Sequence, residues 1–217
     1  MAKNPSPSER RVMLPGVSWQ QFETLLGELG TSRTARLTYD RDKLEMMTPL
    51  EEHDRCNRLI ETLLLVVAEE ADIPLYCNGS LLLKRADLGR AIQPEGCYSV
   101  GSSIAIEKRA ELDLERVAPP ELVVDVAVSS GSLDRLSLYG AMGVPEIWRY
   151  TTTVGDDVLK GSLQIYRSQG DRYVESTNSG LFPFLPGAQV LEFLEQSDAI
   201  GLAQALIVLR DWINQHV

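Results

Sequence analysis

Residues 121–130 read ELVVDVAVSS, and six of the eight residues from Glu121 to Val128 are apolar. A short continuous apolar run between Pro119-Pro120 and a serine cluster predicts a central strand covered on both faces. That strand constrains everything else, because it needs paired neighbours in a sheet and a layer of side chains above and below it. The next segment, SSGSLDRLSLYGAMG, predicts a short helix with a serine N-cap, apolar Leu133, Leu136, Leu138 and Met142, and a closing glycine. PEIWRY then returns as a strand.

The flanking segments supply the layers. Residues 1–15 are polar with two internal prolines and read as a tail, after which Ser18 and Gln21 form a capping box ahead of Phe22, Leu25, Leu26 and Leu29. TARLTYDRDKLEMMTP alternates apolar and polar residues around Asp40-Arg41-Asp42, the pattern of a hairpin. From Glu51 to Ala71, Cys56, Leu59, Ile60, Leu63, Leu64 and Val67 trace one face of a long helix. LYCNGSLLLKR and AIQPEGCYSV are β-rich runs able to pair, LQIYRSQGDRYVES predicts a second hairpin, and residues 198–214 predict a C-terminal helix. The expectation is an α/β fold with a mixed sheet, in one domain over residues 16–217 behind a flexible tail over 1–15.

Composition narrows the class. A chain of 217 residues buries enough apolar surface to need no disulfide or structural metal, and three dispersed cysteines fit a reducing cytoplasm. The sequence has no apolar run of membrane-spanning length and no apolar stretch of a secretory signal near its start, so a cytoplasmic location without membrane association is expected. The formal charge of −10 makes the average surface repel phosphate, so a nucleic-acid role requires a local basic groove or bound cations. Nucleotide-binding, dinucleotide-binding, serine-hydrolase and zinc-protease motifs are absent from the sequence.

The residue that stands out is Asp125, a carboxylate in the middle of the apolar strand, whose desolvation costs several kcal/mol unless compensated. The compensation can be a cation such as Arg135, hydroxyls from Ser129, Ser130 or Ser132, or a bound divalent metal. Glu95 follows Pro94 in another strand, where it is either a solvated strand end or a second carboxylate of a metal site. Hard cations need only one or two protein carboxylates, with water and phosphate completing the shell. Arg135, ten positions after Asp125, is either its charge partner or a phosphate ligand. His53, beside Glu51 and Glu52 at the start of the long helix, is either structural or a base near a metal. Lys84, Arg85 and Arg90 form the best local basic patch.

Three segments in this order, LEMMTPLEEHD, QPEGCY and PPELVVDVAVSSGSLDRLSLYGAMGVPEIWRY, resemble the Uma-two family of restriction-endonuclease-like proteins, also called domain of unknown function 820, over roughly residues 17–195. The resemblance implies a PD-(D/E)XK nuclease core, to which the chain adds an N-terminal helix and hairpin and a C-terminal hairpin and helix. It implies Mg²⁺ or Mn²⁺ held by Glu95, Asp125 and the carbonyl of Val126. Arg135 would clamp phosphate, and His53 or Glu52 would complete the site from the long helix. It also implies DNA as substrate, and since two active sites are the common way to cut both strands of a duplex, a homodimer is the accompanying expectation. Glu95 stands where the family usually has Asp, Asp125 where it usually has Glu, and Arg135 where many members carry Lys. The competing reading is a nuclease fold that has lost catalysis and acts as a binding module.

Overall fold

The computed structural model describes residues 10–101, 110–128, 133–153, 157–170 and 172–217. In chain order, β1 (Arg10–Pro15) precedes α1 (Trp19–Leu29), the hairpin of β2 (Arg36–Asp40) and β3 (Lys43–Thr48), and the long α2 (Glu51–Glu70). Five short strands follow: β4 (Leu75–Gly79), β5 (Leu82–Arg85), β6 (Arg90–Ile92), β7 (Gly96–Val100) and β8 (Glu111–Asp113). The central strand β9 (Leu122–Ala127) leads to α3 (Arg135–Met142) and β10 (Glu146–Thr151), then to β11 (Ser162–Gln169) and β12 (Arg172–Ser176). Two helices close the chain, α4 (Gly187–Ala199) and α5 (Leu202–Ile213).

The strands form two six-stranded sheets, ordered β1-β3-β2-β6-β5-β8 and β12-β11-β10-β9-β7-β4. The second is the expected mixed sheet: β9 pairs in parallel with β10 and antiparallel with β7. Every residue of β9 is buried, because its alternating side chains serve two layers. Leu122, Val124 and Val126 join Ile60, Leu63, Phe193 and Leu209 of the helices α2, α4 and α5. Val123 joins Leu138, Tyr139 and Met142 of α3, in a cluster that also takes in Leu83 and Ile92 of the first sheet. Thus α3 lies between the sheets. On the far side of the first sheet, Phe22 and Leu26 of α1 pack on Leu37, Tyr39 and Leu44, with Phe22 stacked on Tyr39 at 4.8 Å between ring centroids. The capping box at Ser18 and Gln21 is formed, which fixes where α1 starts.

Four expectations are revised. Arg10–Pro15, expected within a tail, is an edge strand paired with β3, because its alternation brings Arg11 and Met13 to the inner side. The runs LYCNGSLLLKR and AIQPEGCYSV do pair, but each splits between sheets: β4 with β7 in one, β5 with β6 in the other. The cap of α3 is Asp134, whose carboxylate accepts from the Ser137 amide at 3.2 Å; Ser129, Ser130 and Ser132 lie outside the described residues. The C-terminal helix expected over residues 198–214 is α5, which starts at Leu202 because Gly201, with a φ of 82° that suits glycine, breaks the helical path; α4 before it carries no counterpart among the expected elements.

The return strand is anchored by a second buried acid. Glu146 is 2% exposed and accepts from the Trp148 indole at 2.7 Å, the Ser179 hydroxyl at 2.6 Å and the Gly180 amide at 2.6 Å. These bonds tie the 178–186 segment to β10. Replacing Glu146→Ala strands three donors, so thermal unfolding should show a loss of about 3 kcal/mol or more; a change under about 1 kcal/mol would show that the network is not holding this segment.

Candidate functional site

Asp125 sits mid-strand on the α3 side of β9, and the cation that compensates it comes from the first turn of α3. The Arg135 guanidinium meets both carboxylate oxygens: Nε lies 2.8 Å from Oδ1 and 3.1 Å from Oδ2, and Nη2 lies 2.5 Å from Oδ1. Its remaining donors are also engaged, Nη1 with Thr38 Oγ1 at 3.1 Å and Nη2 with the Gln93 carbonyl at 3.2 Å and Tyr139 Oη at 3.0 Å. Tyr139, one helical turn beyond Arg135, donates its own hydroxyl proton to Asp125 Oδ1 at 3.1 Å. Burial alone would lower the Arg135 pKa, but Asp125, followed by Tyr139 and Glu95, holds it well above its ordinary value. Burial likewise pushes the Tyr139 phenol well up, so it stays a neutral donor.

Glu95 reaches the same place by a backbone crossing. The Gln93 amide donates to Leu37 in the first sheet at 3.0 Å, and the Glu95 amide donates to Val124 in the second at 3.1 Å. Pro94, which has no N–H to place, occupies the crossing. Glu95 is therefore no solvated strand end: it is 3% exposed, with Oε2 accepting from the Val126 amide at 3.1 Å. Its Oε1 is buried without a hydrogen-bond partner among the described residues. Burial pushes its carboxyl up and Asp125 pushes it further, while Arg135 and His53 partly offset both.

The site thus holds two carboxylates against one guanidinium. Among the described residues no group of three or more His, Cys, Asp or Glu could hold a metal ion, so a cation here relies on few protein ligands. The donors suit a hard divalent ion. Glu95 Oε1 has no partner among the described residues, and Asp125 Oδ2 receives one of the guanidinium's bonds where Oδ1 receives several. The Val126 carbonyl leaves the strand on the same edge as the amide that reaches Glu95.

Of the other sequence candidates, His53 is fully buried in the first turn of α2, near enough to favour the charged form of Glu95, with Nδ1 accepting from the Leu50 amide at 3.1 Å. That bond leaves Nε2 to carry the proton of the neutral ring. Glu52 shares the turn but has no hydrogen bond or ion pair with Glu95 or Asp125 among the described residues. Arg135 binds protein at every nitrogen and is the charge partner of Asp125, with Nη1 carrying one bond, to Thr38, for its two N–H groups. Lys84 and Arg85 pair with Glu23, Glu111 and Asp87, and Arg90 pairs with Asp40.

Sequence reasoning missed three contributors. Tyr139 carried a usable signal, four residues after Arg135 on one helix face. Thr38 acts from the other sheet and Gln93 through its carbonyl, and neither leaves a linear trace.

A raised glutamate pKa means the folded state holds a proton that the unfolded chain releases, so in chelator this group's contribution makes stability fall as pH rises from the ordinary glutamate range through the folded-state value. Glu95→Gln keeps an acceptor for the Val126 amide and cannot ionise. In EDTA its melting temperature should exceed that of the parent at neutral pH, with the gap closing in acid; a variant that melts lower at neutral pH would contradict the assignment of Glu95 as a strained, surplus acid.

No curated protein sequence matches the chain. Among solved structures, a crystal structure described as a putative nuclease belonging to DUF820 from Anabaena variabilis ATCC 29413 is similar, with 11% identity and a TM-score of 0.48, over 82% of this chain and 99% of that one. The pattern of the Uma2 family, described as putative restriction endonuclease, matches residues 19–199, which include Asp125, Glu95, Arg135 and His53. The chain belongs to the Uma2 family.

Proposed function

We propose that the protein is a divalent-cation-dependent nuclease that hydrolyses phosphodiester bonds of DNA at the Glu95–Asp125 site. The observation that carries this reading is Glu95 Oε1, a buried carboxylate oxygen without a partner, beside a second buried acid that already has its cation. Orphaned buried charge is expensive, and a ligand that supplies positive charge relieves it. Family membership points the same way.

Glu95, Asp125 and the Val126 carbonyl would hold Mg²⁺ or Mn²⁺. Such an ion, when bound, supplies a Lewis acid that activates water and neutralises charge on the phosphate. The chain's residues prepare that place. Arg135 and Tyr139 fix the rotamer of Asp125 and satisfy Oδ1 several times over, leaving Oδ2 the less committed oxygen. The Val126 amide fixes Glu95 so that Oε1 is presented. His53 adds a polar wall that favours ionised Glu95, and Glu52 lies on the adjoining turn. With a net charge of −10, approach of a polyanion also depends on cations at this site. A cytoplasmic homodimer fits the reading, since cutting both strands of a duplex commonly uses two sites. Among the described residues no helix is long and apolar enough to cross a membrane.

One observation favours a second reading: the guanidinium is committed chiefly to Asp125, Tyr139, Thr38 and the Gln93 carbonyl, which suits a nuclease fold retained for binding alone. Supercoiled plasmid and single-stranded DNA incubated with Mg²⁺, Mn²⁺ or EDTA separate the two. The nuclease reading expects metal-dependent cutting that Glu95→Gln and Asp125→Asn, folded by circular dichroism, reduce by about two orders of magnitude or more. Absence of cutting together with absence of calorimetric Mg²⁺ or Mn²⁺ binding would establish the binding-module reading instead.

A further inference from the structure

The register of the second sheet places three polar residues in one row across adjacent strands, with Glu95 just outside the end of β7. Gln164 of β11 pairs with Arg149 of β10, Arg149 with Asp125 of β9, and Glu95 lies one residue before the Gly96 that pairs with Val124. Residues paired in register share a face, so Arg149 stands on the α3 side, one strand from Asp125, opposite Glu95. It is half-buried. Its Nε is shielded from solvent without a hydrogen-bond partner, and among the described residues it has no ion pair.

This is an unusual state for an arginine one strand, about 5 Å, from a buried carboxylate. Asp125 does not capture it, because Arg135 has already filled that carboxylate's side. A guanidinium held on a rigid strand, partly desolvated and with its donors idle, is poised for an anion, and its planar fork matches phosphate oxygens. Beside the Glu95–Asp125 pair, Arg149 supplies a positive charge that no described protein group claims.

We infer that Arg149 is the residue of this site that contacts a substrate phosphate, a role that rests on the nuclease reading above. It binds and positions the phosphodiester; it is not required to transfer a proton. Because it has no partner among the described residues, removing it should cost the fold little.

The test is equilibrium binding of a fluorescent DNA duplex in Ca²⁺, across a salt series, with melting temperatures measured in parallel. Arg149→Gln should weaken binding roughly tenfold near 0.1 M salt and reduce the salt slope by about one. Arg149→Lys should retain most of the slope, and Arg116→Gln, an exposed charge in the turn after β8, should change neither. Melting temperature of Arg149→Gln should stay equal to the parent's or rise. If the parent binds and Arg149→Gln binds equally well, the inference falls while the nuclease reading stands. If Arg149→Gln melts well below the parent and Arg149→Lys restores both stability and binding, Arg149 is structural and the inference is overturned. If the parent binds no DNA in Ca²⁺, the nuclease reading itself fails and takes the inference with it.

Discussion

The Arg135 guanidinium joins parts of the chain that have no other reason to meet. Its partners come from β9, from α3 itself, from the crossing between the sheets and from β2. A carboxylate at the centre of a doubly covered strand would otherwise shift to its neutral form or unfold the strand around it. Charge-assisted bonds to both oxygens make Asp125 tolerable there, and the leftover donors clamp the two sheets to either side of α3. The pair is unlike a surface salt bridge, whose contribution is small and screened by solvent. Here both groups are buried, and losing either leaves the other unpaired.

Charge bookkeeping at this point separates fold from function. One guanidinium offsets one carboxylate, and the second, Glu95, is left in excess with an oxygen that no described residue satisfies. Contrast Glu146, a buried acid whose three donors complete it and which serves the fold alone. The same chain thus satisfies one buried glutamate and leaves another wanting, within a few strands. Unsatisfied buried polar atoms are rare in folded proteins, and they collect where a ligand completes them. The free arginine beside Asp125 is the complementary defect, an idle cation at the edge of a surplus of negative charge.

Much of this was legible in the sequence. The apolar run around Asp125 fixed the central strand, capping and spacing fixed α1 and α2, and the two buried acids were visible as carboxylates out of place. What the sequence could not carry was non-local. QPEGCY shows a proline before an acid, but not that the chain changes sheets there, since the change is defined by where Leu37 and Val124 lie. Nothing near Thr38 marks it as a partner of a residue ninety-seven positions later. Arg149 lies in PEIWRY, where it follows Ile147 and Trp148 and precedes Tyr150, much as Asp125 lies within LVVDVAV. That parallel, a charge in a strand otherwise built for the core, was the one available signal for it.

The central claim is that Arg135 and Asp125 act as one unit on which the site is built, and a double-mutant cycle measures this most directly. Chemical denaturation of the parent, Asp125→Val, Arg135→Met and the double variant gives their coupling free energy. The account predicts that each single change costs about 3–5 kcal/mol and that the double variant recovers at least about 2 kcal/mol of their sum. Additivity within about 0.5 kcal/mol would contradict it, by showing that the two side chains are stabilised independently.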